Sequence, residues 1–358
     1  MKISQFVKRL SPSPTLALNA RAKELQAKGQ NILNFSVGEP DFTTDEAISE
    51  KAIEALRQGK TKYGPPGGSP KLREALARKL KRENKLNVSA EQIVCGMGAK
   101  ELLFHIFLSI LDDGDEVLVQ APYWVSYAEQ IKACGGRPVL IPAAEDLSQD
   151  PLNLATLESY CSEKTVAYLL CSPNNPGGYV VSEKDLKALA AFLEKKKYWI
   201  ISDEVYEYLS YSGPHLNLLE LLSSLQDRFI HVNSFSKSFA MTGWRVGYVA
   251  GPTFLMKELK KIQSHSSSCL PPFIEEAAVF AADQGKSLMQ EKLDLLAKRR
   301  ERVLDRLKNF PKEVQFVKPN GAFYLFLDLR KVMSLSKSFA GVNTLLFCEM
   351  LLSDYHIA

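Results

Sequence analysis

The chain has 358 residues, 46% of them hydrophobic, and a formal net charge of +4 from 45 basic and 41 acidic residues. This predicts a large core, with two domains or one large domain and a smaller companion. So small a charge excess, without a long basic stripe, argues against a nucleic-acid binder, and no apolar run reaches the ~18 residues of a membrane span.

The six cysteines and five histidines are scattered, without the spacing of a metal cluster or a disulfide framework. A reducing, cytoplasmic setting is the expectation. Residues 1–10 are basic and amphipathic and lack the apolar core of a signal peptide.

From about residue 90 onward, short apolar runs alternate with helical patterns. The runs are Gln92–Met97, Glu116–Gln120, Val139–Ile141, Thr165–Cys171, Tyr198–Ser202, Phe229–Asn233 and Val246–Ala250. Amphipathic stretches such as Lys100–Leu111 and Ser182–Lys197 lie between them. The expected fold is α/β, a mostly parallel central sheet with helices on both faces. Residues 285–309 read as a long charged helix, and Ala322–Leu327 as a further strand. The expected division is a large domain over 46–285. A smaller α/β domain would combine the N-terminal segment 1–45 with residues 286–358, the long helix serving as connector.

Ligands of open parallel sheets bind beyond the carboxyl ends of the strands, so the residues just after each run carry the functional argument. After Gln92–Met97, Gly98-Ala99-Lys100 opens a helix. Small residues there expose N–H groups to an anion, or merely turn the chain. After Glu116–Gln120 comes Trp124, which suits stacking on a flat heteroaromatic ring or burial in the core. After Thr165–Cys171, Ser172-Pro173-Asn174-Asn175-Pro176-Gly177-Gly178 marks a tight turn, in which the Asn175 amide is a candidate donor.

The run Tyr198–Ser202 ends in Asp203-Glu204-Val205-Tyr206. Asp203 suits a helix N-cap, a general base or a partner for a cationic ring nitrogen; no convergent ligands point to a metal. Tyr206 could donate to a phenolic oxygen, and Glu204 reads as structural. After Phe229–Asn233 comes Ser234-Phe235-Ser236-Lys237, followed by Met241, Gly243, Arg245 and Gly247. Hydroxyls and an arginine fork suit a phosphate dianion. A partly desolvated lysine beside other cations sheds its proton more easily and can then condense with an aldehyde.

Together these motifs resemble the class I aminotransferases of fold type I, close to the bacterial aspartate aminotransferase subgroup. Gly38-Glu39-Pro40-Asp41-Phe42, Lys60-Thr61-Lys62-Tyr63-Gly64 and Pro319-Asn320-Gly321-Ala322-Phe323-Tyr324 extend the likeness. The resemblance implies pyridoxal 5'-phosphate as cofactor, held covalently by Lys237. It implies that Asp203 faces the ring nitrogen, that Tyr206 and Asn175 bond the ring oxygen, and that Trp124 stacks on the ring. Ser234, Ser236, Arg245 and the amides of Gly98, Ala99 and Lys100 would hold the phosphate. Tyr63 would reach the phosphate of a neighbouring subunit, making a homodimer with shared sites. Gly38 would contact the substrate carboxylate through its backbone, and Thr15 would approach the side chain of a dicarboxylic substrate. The implied reaction moves an amino group between an L-amino acid, aspartate favoured, and a 2-oxo acid, 2-oxoglutarate favoured.

Two departures stand out. Asn175-Pro176-Gly177-Gly178 replaces the family's Asn-Pro-Thr-Gly and is expected to alter only the turn. The resemblance also stops at His356-Ile357-Ala358, where family members usually continue to an arginine that binds the substrate α-carboxylate. The expectation is therefore a truncated chain with impaired transamination. A carbon–sulfur lyase on the same scaffold, or a chain that binds the cofactor without turnover, are the alternatives.

Overall fold

The computed structural model describes residues 1–143, 152–335, 339 and 342–358. Among these, seven strands form the central sheet: β1 (Ile93–Gly96), β2 (Glu116–Gln120), β3 (Arg137–Ile141), β4 (Thr165–Cys171), β5 (Trp199–Asp203), β6 (Phe229–Ser234) and β7 (Gly247–Ala250). Their spatial order is β1-β7-β6-β5-β4-β2-β3. The pairs β6–β5, β5–β4, β4–β2 and β2–β3 are parallel, whereas β7 is antiparallel to both β6 and β1. Six strands therefore run one way and β7 runs the other. Each apolar run of the sequence is one of these strands: Glu116–Gln120 and Thr165–Cys171 match end to end, and the others differ by no more than two residues at an end.

Strand side chains alternate between faces, and here both faces are apolar, the signature of a sheet covered on both sides. Val117, Val119, Ile201 and Ile230 pack on the helices Ala99–Ile110 and Thr253–Ser264. Their chain neighbours Leu118, Ile200 and Phe229 pack in a separate cluster with Leu186, Leu189 and Leu193 of the helix Glu183–Glu194. A third cluster joins Ile93 and Cys95 to the helices Glu46–Arg57, Pro70–Glu83 and Pro272–Gln284. Full burial of one such Leu or Ile contributes about 1.5–3 kcal/mol.

The chain ends meet. Ala22, Ile32 and Leu352 share a small core. Leu33 donates to the His356 carbonyl at 2.9 Å, and Ala358 donates to the Leu33 carbonyl at 2.9 Å. The long charged segment is the helix Gln290–Leu307, preceded by 3-10 turns over Gly285–Met289.

The expected strand Ala322–Leu327 is a correction. Only Leu327–Asp328 (β9) is extended in a ladder, antiparallel to Gln315–Phe316 (β8). Ala322 adopts φ 54°, donates to the Leu209 carbonyl at 2.7 Å, and accepts from Tyr211 Oη at 2.7 Å. Those bonds turn the backbone, so its β-rich composition packs aromatics instead of pairing a strand.

Candidate active site

The strand directions assemble the site. The carboxyl ends of β1, β2, β4, β5 and β6 lie along one edge of the sheet, and the reversed β7 contributes its amino end there. Gly98, Trp124, Asn175 and Lys237 follow β1, β2, β4 and β6, and Asp203 is the last residue of β5. Arg245 reaches the same edge because it precedes β7.

Lys237 sits in the short helix Phe235–Ser238. Ser234 caps that helix: its Oγ accepts from the Ser236 N–H at 3.1 Å and lies 2.9 Å from both Ser236 Oγ and the Val246 carbonyl. Lys237 Nζ donates to the Gly38 carbonyl and lies 5.7 Å from the centre of the Phe323 ring. Burial pushes its ammonium down to about 8; Arg245 and Lys100 push the same way and Glu39 opposes them.

Arg245 takes the left-handed conformation, φ 57°, and is anchored through Nη1 to the Thr242 carbonyl at 2.9 Å and through Nη2 to the Met97 carbonyl at 3.2 Å. Its guanidinium lies over Gly98, where a Cβ would meet Nη2 at 2.5 Å. At Gly247 a Cβ would fall 2.5 Å from the Ala99 backbone nitrogen. Both glycines thus let Arg245 and β7 approach the N-terminus of the helix Ala99–Ile110, whose first N–H groups lack helical partners. Lys100 Nζ lies 4.8 Å from the centre of the Trp124 ring, and burial lowers its pKa, with Arg245 adding to the drop.

Trp124 meets Tyr127 edge to face, centroids 5.4 Å apart. Tyr127 Oη donates to Asp203 Oδ2 at 2.6 Å. Asp203 is buried, which raises its carboxyl to about 6 against the opposing bonds from Tyr127 and the Val205 N–H. Tyr206 Oη accepts from Asn175 Nδ2 at 3.1 Å and shares a 2.7 Å hydrogen bond with Tyr324 Oη. The Tyr206 ring stands edge-on to Phe323, centroids 5.6 Å apart. These contacts run from Lys237 through Phe323 to Tyr206 and Asn175, and from Lys100, which Arg245 influences by its charge, through Trp124 to Tyr127 and Asp203. Asp203 and Tyr206 join the two arms electrostatically.

Glu204 points to the opposite face from Asp203, as alternation requires. It accepts from Ser202 Oγ at 2.8 Å and Asn217 Nδ2 at 2.6 Å, and lies 2.9 Å from His215 Nε2. Tyr63 is 93% exposed and does not join the site. Thr15, on the helix Pro14–Ala27, is also exposed; among the described residues no hydrogen bond or ring contact links it to Lys237 or its neighbours. Sequence reasoning gave no role to Tyr127 or Tyr324. Tyr127 had a usable signal, since it stands three residues beyond Trp124 at a helix start, the spacing of neighbours on one face.

These groups fit pyridoxal phosphate. The fit rests on Lys100 and Arg245 at the N-terminus of the helix Ala99–Ile110, with Lys237 near enough for both charges to lower its pKa; among the described residues none of the three is in an ion pair. Cations at a helix N-terminus suit a dianion, and the buried Asp203 carboxyl lies beyond Lys100, Trp124 and Tyr127 on the same arm. Among the described residues there is no cluster with metal-ligand character, and no helix is long and apolar enough to cross a membrane.

Residues 30–358 match the family model described as "Aminotransferase class I and II". The chain is 43% identical to the probable aspartate/prephenate aminotransferase of Aquifex aeolicus, over 91% of this chain and 83% of that one. It is 36% identical to the aspartate aminotransferase of Bacillus subtilis (strain 168), over 100% of this chain and 90% of that one. The solved aspartate aminotransferase of Rhizobium meliloti superposes with a TM-score of 0.92 at 32% identity, covering 100% of this chain and 90% of the other. That of Thermus thermophilus with maleate does so with a TM-score of 0.89 at 34% identity, covering 100% and 91%. A sheet edge that gathers Lys237, Asp203 and Arg245, in a chain alike to these enzymes almost end to end, makes it a member of the class I and II aminotransferases, enzymes that depend on pyridoxal phosphate.

Proposed function

We propose that the chain transfers the amino group of L-aspartate to 2-oxoglutarate, with Lys237 as the residue that holds the cofactor and carries the proton. The observation that supports these roles is the contacts from Lys237 through Phe323 to Tyr206 and Asn175 and from Lys100 through Trp124 and Tyr127 to Asp203, with Arg245 and Lys100 acting on Lys237 electrostatically. The relatives' names support the substrate: several name aspartate, and others aspartate and prephenate.

Pyridoxal phosphate, when bound, supplies an aldehyde that captures the amino group and a ring that takes up electrons from the α carbon. The chain's own residues do the rest. Arg245, Ser236 and the amides of Gly98, Ala99 and Lys100 would hold the phosphate, with Ser234 fixing Ser236. Asp203 would face the ring nitrogen, its charge favoured there by the Tyr127 hydrogen bond. Asn175 and Tyr206 would bond the ring oxygen, and Trp124 would lie against the ring. Lys237 Nζ, its pKa lowered to about 8, is a base near neutral pH that accepts the α proton and returns it. The backbone of Gly38 would meet the substrate carboxylate and Thr15 the distal carboxylate.

The same reading divides the chain into a large domain over 46–285 and a small one from 1–45 and 286–358. It makes the enzyme a cytoplasmic homodimer whose Tyr63 serves the partner's site. The test is a coupled transamination assay with aspartate and phenylalanine as alternative donors and 2-oxoglutarate and prephenate as alternative acceptors. Oxaloacetate should form fastest, and Lys237→Ala should abolish its formation. Turnover of the aromatic donor or prephenate with none of aspartate would overturn the substrate assignment.

A further inference from the structure

Beside the turn that carries Lys237 lies a small cavity, which Ser234 and Phe235 also line. It encloses about 10 Å³ and is lined by residues that include Lys79, Glu207, Asn233, Ser238 and Tyr248. The polar atoms Asn233 Nδ2, Ser238 Oγ and Tyr248 Oη have no protein partner, although these residues are only 1%, 3% and 3% exposed. A buried polar group left unbonded is costly, because it has given up its bonds to water and gained none in return. Three such groups lining one cavity are a built site.

Chemistry selects the occupant. Asn233 Oδ1 accepts from the Ser234 N–H at 2.7 Å, which fixes the amide so that Nδ2, a donor, is the free atom. Lys79 Nζ donates to both Glu207 Oε1 and Asn84 Oδ1. An ammonium and an amide N–H at the wall disfavour a cation, and Glu207 disfavours an anion. The volume is about that needed for the centre of one water molecule, which can accept from Asn233 and exchange bonds with two hydroxyls.

We propose that this cavity holds one internal water bridging Asn233, Ser238 and Tyr248, and that the water positions Lys237. Asn233 precedes the Ser234 cap, and Ser238 follows Lys237, so the bridge would grip both ends of the four-residue helix. It ties them to β7, whose Tyr248 is the register partner of Asn233 on β6. Lys237 must hold the cofactor and then act as a free base, so its backbone has to stay fixed while its side chain changes partner. The water itself does not depend on the proposed substrate; its effect on Lys237 rests on that residue's proposed role.

The first test is a crystal structure of the unsubstituted protein at a resolution that shows ordered water. A single peak within hydrogen-bonding distance of all three atoms is expected, and no peak there overturns the proposal. The second is a double-mutant cycle of Ser238→Ala and Tyr248→Phe, followed by thermal unfolding. Either change frees the water, so the double variant should lose no more than the worse single one; strictly additive losses overturn a shared water. The third is the pH titration of the visible absorbance of the cofactor-loaded Tyr248→Phe protein. Its midpoint should move by at least about half a pH unit. An unmoved midpoint would refute positioning of Lys237, and the assay for aspartate turnover is independent of all three.

Discussion

Lys237 carries the sharpest residue-scale expectation. A lysine usually gives up its proton near 10.5, whereas burial brings this one to about 8, with Arg245 and Lys100 adding to the drop. The unfolded chain therefore binds more protons than the folded one between these values. Through this group the cofactor-free protein gains stability as pH rises from about 8 to 10.5, and forgoes it below about 8. The same shift governs reactivity. In the cofactor-free protein, labelling of Lys237 by a small amine-reactive electrophile, read by mass spectrometry, should be half-maximal near pH 8. Glu39→Gln removes the opposing charge and should lower that midpoint; Lys100→Gln removes a like charge and should raise it. A midpoint that stays at the ordinary lysine value in all three proteins would mean that the side chain is not desolvated.

Which residues could be read from sequence follows from distance along the chain. Asp203 ends β5, and Asn175 and Lys237 are set by the strands that precede them, so an apolar run and its first polar successors revealed them. Tyr127 bonds a carboxylate 76 residues away and Tyr324 a hydroxyl 118 residues away. Such pairings depend on the sheet order, which one sequence does not display. The buried cluster around Glu204 is similar: His215 and Asn217 arrive from a loop, and only alternation along β5 hints that Glu204 turns away from Asp203.

At the scale of elements, the seven apolar runs were legible because burial on both faces leaves little else for a short β-rich stretch to do. The segment after Asn320 misled because Phe323, Tyr324, Leu325 and Phe326 have strand composition, yet the positive φ of Ala322 and its bonds to Leu209 and Tyr211 hold a turn. The junction of β1 with the helix Ala99–Ile110 yields a prediction. Gly98 has φ 85° and ψ 161°, a region nearly closed to other residues that costs about 1–3 kcal/mol to enter. A methyl there also collides with the Arg245 guanidinium. Gly98→Ala should therefore lower thermal stability and weaken cofactor binding by about tenfold or more, since ~1.4 kcal/mol is a factor of ten. Gly114 supplies the control. Its φ is 91°, but an added Cβ would meet nothing within 4 Å. Gly114→Ala should lower stability and leave cofactor affinity unchanged. Equal effects of both substitutions on affinity, measured by fluorescence titration, would exclude the Arg245 contact as the cause.

At the scale of the molecule, one chain supplies every proposed cofactor contact except Tyr63, which is 93% exposed. An exposed tyrosine can be surface decoration or part of a site completed by a second copy. The two cases separate by complementation. If sites are shared, a chain with Tyr63→Ala keeps its own Lys237, and a chain with Lys237→Ala still lends its Tyr63. A mixed dimer of the two then contains one intact site and one that lacks both groups. Random reassortment of equal amounts should restore about a quarter of the unsubstituted site number, because half the dimers are mixed and each has one good site of two. Each variant alone should fall well below that level. Activity in the mixture no greater than the mean of the separate proteins would mean that Tyr63 does not act across a subunit boundary. Sedimentation of the same mixture gives the assembly directly, so a monomeric protein and a dimer with unshared sites are told apart.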